Sequence, residues 1–308
     1  MCMRYFTERK WYAFSALILF TLLLAGCGGK TATNTSASLN NSLSQHVAAT
    51  PTANGSTAAT ATLKRQPTGN ASLNWDPTDH TLKVQLMLTG LAPNSVHPVH
   101  IAEGSCSNTT STASTATATK ALYPLVNATA DAHGVIDTSS KVDVSTGIPA
   151  KGWYLEVFNG PGLSSGTQAT SIACGDIVNH DTSLRSAQSV QVPLEGTSAA
   201  NQDASGVAHL SLSGHTLTVD LEVTGLAPKS QHMVHIHSGT CAKQGSVVYP
   251  LTTLTADASG KATSKTTIDN VTTIPSTGWY VNVHDGTDLS TQTGFDPIAC
   301  GDVVPNQA

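Results

Sequence analysis

Two long stretches of this 308-residue chain repeat one another. The clearest matches are Leu88–Pro93 with Val223–Pro228, and Ile172–Asp176 with Ile298–Asp302. A duplicated unit of ordinary domain size is expected to fold in the same way twice. We therefore predict two tandem domains, at residues 57–184 and 185–308.

Apolar and polar residues alternate within each repeat. Leu217, Val219, Leu221 and Val223 are separated by polar residues, and residues 82–88 of the first repeat follow the same pattern. A period of two is typical of strands with one buried face. Turn-forming residues separate these segments at short intervals, so the sequence predicts an all-β fold of two antiparallel sandwiches or barrels.

The N-terminal residues have the pattern of an export signal. Basic residues precede an apolar run at residues 11–24, which ends in Leu24-Ala-Gly-Cys27. This order resembles the bacterial lipobox, which implies a signal peptide at residues 1–26 and lipidation of Cys27. The alternatives are a plain secretory signal or a single-pass anchor. A lipidated Cys27 predicts an extracytoplasmic protein anchored to a membrane of the bacterial cell envelope.

Residues 27–56 are rich in Thr, Ala, Ser and Asn and contain almost no large apolar side chains. Such a segment cannot bury enough surface to fold, so we interpret it as a low-complexity tether. The net charge of the chain is −5, and no basic run is present that would bind nucleic acid. The sequence is compatible with a protein partner or a dimer and specifies neither.

Four of the six cysteines fall in matching positions of the two repeats. Export to an oxidising compartment favours disulfides over free thiols. We therefore predict the pairs Cys106–Cys174 and Cys241–Cys300, one in each repeat.

Only the second repeat keeps a complete trio of histidines at these strand positions. Alternate residues of a strand share a face, so His235 and His237 point the same way, and His284 on a later strand can face them. Three converging imidazoles suit copper or zinc. The first repeat has Ala102 and Phe158 in place of His237 and His284. We predict a metal site, with Asp288 as a carboxylate that orients a ligand ring, in residues 185–308 alone.

The motif His232-x-x-His235-x-His237, the later Val283-His284 and the matched cysteines resemble the copper-zinc superoxide dismutase family. They also resemble the related chordin-type (CHRD) domains, whose His-Ile-His and Tyr-Val-Asn-Val-His segments are closer still to those of the second repeat. The resemblance implies Greek-key β-sandwiches of superoxide dismutase-like or immunoglobulin-like architecture. It also implies a copper cofactor held by His235, His237 and His284, and a structural role for His232 and its counterpart His97.

The chain departs from the dismutase pattern in three ways. The short segment between Cys241 and Tyr249 has no zinc ligands and no fourth copper histidine, and the guiding arginine is replaced by Pro297. These departures favour a membrane-anchored copper-binding lipoprotein and assign no catalytic residue. A structural or adhesive CHRD-like module without metal and a copper-only superoxide dismutase are the alternatives.

Overall fold

A computed structural model describes residues 57–108, 120–164, 166–197 and 199–306. The predicted signal peptide and tether, including Cys27, lie outside the described residues. Within the described part, no helix is long and apolar enough to cross a membrane. The described residues form an almost entirely β structure, which confirms the predicted fold class.

The strands of the N-terminal half are, in chain order, β1 (Ala58–Arg65), β2 (Thr68–Asp76), β3 (Thr81–Thr89), β4 (Val96–His97), β5 (Val99–Glu103), β6 (Tyr123–Pro124), β7 (Ala128–Thr129), β8 (Ile136–Asp143), β9 (Trp153–Phe158) and β10 (Ser171–Ile177). Short 3-10 helices occupy Cys106–Asn108 and Gly166–Ala169.

The strands of the C-terminal half are β11 (Gln188–Leu194), β12 (Ser205–Ser213), β13 (Thr216–Thr224), β14 (Gln231–His232), β15 (Val234–Thr240), β16 (Lys243–Pro250), β17 (Leu254–Thr255), β18 (Ala262–Asp269), β19 (Trp279–His284) and β20 (Pro297–Pro305). One short helix, α1 (Gln292–Phe295), begins after Thr291, whose side chain accepts a hydrogen bond from the Gly294 amide.

The first sandwich is built from two four-stranded antiparallel sheets, in the orders β10-β9-β5-β6 and β11-β2-β3-β8. Alternation along β2 and β3 directs Leu73, Trp75, Leu82 and Val84 into the core between the sheets. The indole of Trp75 is satisfied there, because its Nε1 donates to the Val144 carbonyl at 2.7 Å.

The second sandwich repeats this plan, but its two layers are continuous. Eight strands form one sheet in the order β16-β15-β19-β20-β1-β12-β13-β18, because β1 pairs with both β20 and β12. Alternating residues of β13, together with Val234, Ile236, Val281 and Val283, fill its core.

The two repeats exchange their first strands. β1 precedes the first repeat's other strands in sequence but pairs with β12 and β20, so Ala59, Ala61 and Leu63 lie in the second core. Reciprocally, β11 pairs with β2, and Val190 and Val192 lie in the first core. Each core therefore contains one strand from the sequence range of the other repeat, so neither range 57–184 nor 185–308 holds a complete sandwich.

Both predicted disulfides are present, which confirms the pairing. Cys106 bonds to Cys174 and Cys241 bonds to Cys300. In each repeat the bond joins the segment after the histidine-bearing strand, β5 or β15, to the last strand of that repeat in chain order, β10 or β20. Closing loops of 68 and 59 residues stabilises each sandwich by about 4 kcal/mol in the chain-entropy description.

Candidate metal centre

The three predicted ligands lie on two neighbouring strands of the second sandwich. β15 pairs antiparallel with β19, with His235 opposite Asn282 and His237 opposite Tyr280. The alternate residues Val234, Ile236, Val281 and Val283 are fully buried in the core. The histidines therefore project from the opposite face of the same two strands.

The imidazole rings of His235, His237 and His284 converge. The ligand nitrogens all lie within 4.8 Å of one another, and His235 Nδ1 lies 3.2 Å from His284 Nε2. Two nitrogens bound to one tetrahedral zinc or copper ion at ordinary bond lengths lie about 3.3 Å apart. The spacing of these rings thus fits a single metal ion with only small ring movements.

Backbone carbonyls fix the tautomers of two rings. His237 Nδ1 donates to the Gly245 carbonyl at 3.0 Å, and His284 Nδ1 donates to the Phe295 carbonyl at 2.6 Å. Both bonds leave the Nε2 lone pair available, which is the arrangement that metal-bound histidines usually show. His235 Nδ1 then donates to His284 Nε2, and a metal ion would replace this shared proton.

The environment keeps the rings neutral. Burial lowers the pKa of His237, and burial together with the charge of His237 lowers the pKa of His235. Burial, reinforced by His235 and His237, lowers the pKa of His284 to about 4. Neutral imidazole is the form that binds a metal, so the site is ready for a cation at neutral pH.

Polar atoms without partners face this centre. Among the described residues, His237 Nε2 and both amide atoms of Asn282 are buried and have no hydrogen-bond partner. Asn282 is opposite His235 on the strand that ends in His284. Buried polar groups are almost always satisfied, so these atoms point to an occupant of the site.

The corresponding position of the first repeat is filled by its own side chains. His100 matches His235, and its Nε2 lies 3.3 Å from Glu156 Oε2, the residue that matches Asn282. Phe158 packs edge-on against the His100 ring, with centroids 4.8 Å apart. Ala102 supplies no donor at all. The scaffold is kept here, but the His100–Glu156 hydrogen bond and an aromatic ring occupy the place of the three converging imidazoles.

His232 and His97 lie in equivalent hydrogen-bond networks. His232 Nδ1 donates to the His284 carbonyl and its Nε2 accepts from Ser230, while His97 bonds in the same way to Phe158 and Ser95. Both nitrogens of each ring are occupied, so neither is free for a metal. Each ring ties the β14 or β4 segment to the end of β19 or β9.

The structure does not bring Asp288 to the histidines. Its carboxylate is exposed and accepts from the amide and hydroxyl of Ser290, which forms a turn. The predicted orienting role belongs instead to the carbonyls of Gly245 and Phe295. Sequence reasoning missed both because a backbone carbonyl carries no residue signature.

Comparison with known families gives one match, and it falls on the half of the chain that holds the histidines. Residues 181–288 match the CHRD domain. The matched range contains the three converging histidines and ends shortly after His284. No curated protein matches the chain. The CHRD match indicates a module-type domain and does not by itself assign a ligand.

Proposed function

We propose that this chain is a membrane-anchored extracytoplasmic lipoprotein whose second repeat binds one copper ion through His235, His237 and His284. The observation that carries the proposal is the convergence of three neutral imidazoles, two of them locked by carbonyls into the metal-binding tautomer. Copper forms the strongest complexes of the first-row divalent metals with nitrogen donors, and imidazole suits it.

The donor set fits the ion. Three nitrogen ligands leave a position open, and copper supplies redox chemistry and small-ligand binding there when it is bound. The chain's own residues do the rest. Gly245 and Phe295 orient two rings, the core beneath β15 and β19 holds the strands, and the amide of Asn282 provides both a donor and an acceptor opposite His235.

A metal-free structural or adhesive module is the second candidate. The first repeat supports it, because its fold persists with Ala102 and Phe158 in place of two ligands, and the CHRD match is compatible with a purely structural domain. Under this alternative the histidines would have no metal affinity above that of exposed histidines elsewhere in the chain.

A copper-only superoxide dismutase is favoured less. Superoxide attack at high rates depends on positive charge near the metal. Pro297 begins β20 at the place where the dismutase resemblance would require an arginine, and the chain is acidic. A cytochrome-reduction assay on the copper-loaded chain separates this activity from copper binding alone.

The test is a calorimetric titration of the chain without its signal peptide. We expect one tight equivalent of Cu(II), and losses of at least about a hundredfold in affinity for His237→Ala and His284→Ala, since each removes one of three ligands. His209→Ala is the matched control, because His209 lies exposed on β12 of the same repeat. Equal weak binding in all four proteins would leave the structural module.

The membrane anchor is tested separately. Export in a bacterial host with radiolabelled palmitate should label the wild-type chain and leave Cys27→Ser unlabelled and released from the membrane fraction. Equal partitioning of both proteins into the membrane would support a single-pass anchor instead.

A further inference from the structure

We infer that the first repeat, which has no metal ligands of its own, is a positioning domain for the metal centre of the second. The inference rests on the proposed function. It explains why a repeat that lacks its ligands remains joined to one that has them. Two segments of the second repeat carry it, the start of β16 and the loop that contains α1, since each contains one of the carbonyls that orient the histidines.

The first segment is the start of β16, which contains Gln244 and Gly245. Gly245 accepts the hydrogen bond from His237 Nδ1, and the preceding Gln244 is buried against the first repeat. The side-chain Nε2 of Gln244 donates to the Leu91 carbonyl at 2.9 Å, and the backbone amide of Gln244 donates to the His133 carbonyl at 3.1 Å. His133 Nδ1 in turn donates to the Gln244 carbonyl at 3.1 Å.

The turn that receives Gln244 is shaped for this contact. Gly134 has a φ of +75°, and a Cβ at this position would lie 2.1 Å from the Leu91 carbonyl and 2.9 Å from Gln244 Nε2. Any larger residue would be strained and would displace the glutamine. Asp131 fixes the turn by accepting from the amides of His133 and Val135.

The second segment is the loop from Asp285 to Asp296, which contains α1. Phe295, at the end of α1, accepts the hydrogen bond from His284 Nδ1. Gln292, at its start, accepts from the Val96 amide at 2.9 Å and donates to the carbonyls of Val96 and Asn159, each at 2.8 Å.

The two ends of this loop also form hydrogen bonds with the first repeat. Asp296 is buried and accepts from the Ala92 amide at 2.8 Å, and Asp285 accepts from the Asn159 side chain. The loop is therefore bonded to the first repeat before α1, within it and after it. The hydrogen bonds at these points restrict the movement of the loop and of its Phe295 carbonyl.

Two of these anchoring side chains are specific to the repeat that has the histidines. In the first repeat the residue that corresponds to Gln292 is Gly166, and Thr170 corresponds to Asp296. Gly166 has no side chain to replace that of Gln292, and Thr170 has no carboxylate. The Gln292 and Asp296 side chains that anchor the α1 loop therefore accompany the ligand set and are not repeated beside Ala102 and Phe158.

The first repeat therefore acts on the metal through two carbonyls. Partners that orient ligand rings change metal affinity by about tenfold to a hundredfold when they are removed, and the anchoring glutamines act one step further out. We expect Gln244→Leu and Gln292→Leu each to lower Cu(II) affinity by roughly tenfold, at the low end of that range. The Cu(II) EPR hyperfine coupling should shift, because ring orientation changes.

The matched control is Gln188→Leu. Gln188 is another buried glutamine whose side chain bonds to backbone groups, accepting from Ile148 and donating to Ser183, but it lies in the first sandwich away from the histidines. The full chain without its signal peptide is used throughout, and thermal unfolding is recorded for each variant. We expect Gln188→Leu to lower the melting temperature while leaving the copper affinity and the EPR spectrum unchanged.

The outcomes separate this inference from the proposed function. Unchanged affinity and EPR spectra in Gln244→Leu and Gln292→Leu, with copper bound normally by the wild-type chain, would overturn the positioning role alone. Equal effects of all three glutamine variants would overturn it as well, because they would follow from lost stability. Failure of the wild-type chain to bind copper would overturn the proposed function.

Discussion

His100 and Glu156 form a buried hydrogen-bonded pair, with Nε2 and Oε2 3.3 Å apart, where the second repeat has His235 and Asn282. The carboxylate supplies from within the protein the partner that a metal ion would supply in the second repeat. Removing the metal ligands from a buried site leaves polar groups that must be satisfied in another way. The Glu156 carboxylate does this for His100 in the first repeat, and Phe158 packs against the His100 ring.

This correspondence between the two repeats predicts that a metal site can be built into the first repeat. The triple variant Ala102→His, Glu156→Asn, Phe158→His places the full set of ligands on β5 and β9, so we expect a second equivalent of bound copper. Its affinity should be lower than that of the native site, because the loop that corresponds to α1 lacks the anchoring glutamine. Metal content after dialysis measures this, and one equivalent would contradict the equivalence of the two scaffolds.

Asn282 should control what binds at the open position of the metal. Its amide atoms have no partner among the described residues and lie beside the histidines. We expect Asn282→Leu to weaken azide binding to the copper-loaded chain by about tenfold, the value of one hydrogen bond to a charged group. Optical titration with azide measures the effect. A loss of copper affinity instead would mean that Asn282 Oδ1 is itself a ligand.

Acid should destabilise the first sandwich through His97. Burial lowers the pKa of His97 to about 4 in the folded chain, against about 6.5 when unfolded. Between these values the unfolded state binds more protons, so the free energy of unfolding falls as the pH falls. From pH 7 to pH 5 the loss from His97 is about 2 kcal/mol. Urea unfolding should show a correspondingly smaller loss for His97→Gln, and equal losses would contradict the buried neutral ring.

Strand exchange predicts that the second repeat does not fold by itself. A fragment of residues 185–308 lacks β1, which supplies Ala59, Ala61 and Leu63 to its core. The amide of Asn306 donates to the Ala58 carbonyl, so the end of β20 lies beside the start of β1. A fragment that continues from residue 306 through a short turn into residues 57–66 should therefore unfold cooperatively.

Circular dichroism melting compares these two fragments. A cooperative, monomeric transition in the fragment without residues 57–66 would contradict the exchange. Monomeric state is checked by light scattering, because the incomplete fragment can cover the exposed edges of β12 and β20 by pairing with a second copy.

The sequence predicted the strands and the clustering of the three histidines, because both depend on local patterns. Alternation along β13 identified its buried face, and the spacing of His235 and His237 placed both rings on one side of β15. The disulfides followed from matched positions in the two repeats. These features need only the period of a strand and the correspondence between repeats.

The strand exchange could not be predicted in this way. β1 and β11 have similar alternation and each precedes a matching strand, so alternation alone does not decide which sandwich each strand joins. The choice depends on how the chain crosses between the repeats. The orienting carbonyls of Gly245 and Phe295 escaped prediction for a different reason, since their role depends on backbone position and not on residue type.

The central claim is tested most directly by X-ray absorption spectroscopy of the full chain, without its signal peptide, loaded with one equivalent of copper. The account predicts three imidazole nitrogens at about 2.0 Å, the ordinary metal–nitrogen distance, and no sulfur ligand. The spectrum should lose imidazole scattering in His235→Ala and keep it in His209→Ala. A bound copper ion with fewer than three imidazoles, or a spectrum unchanged by His235→Ala, would contradict it.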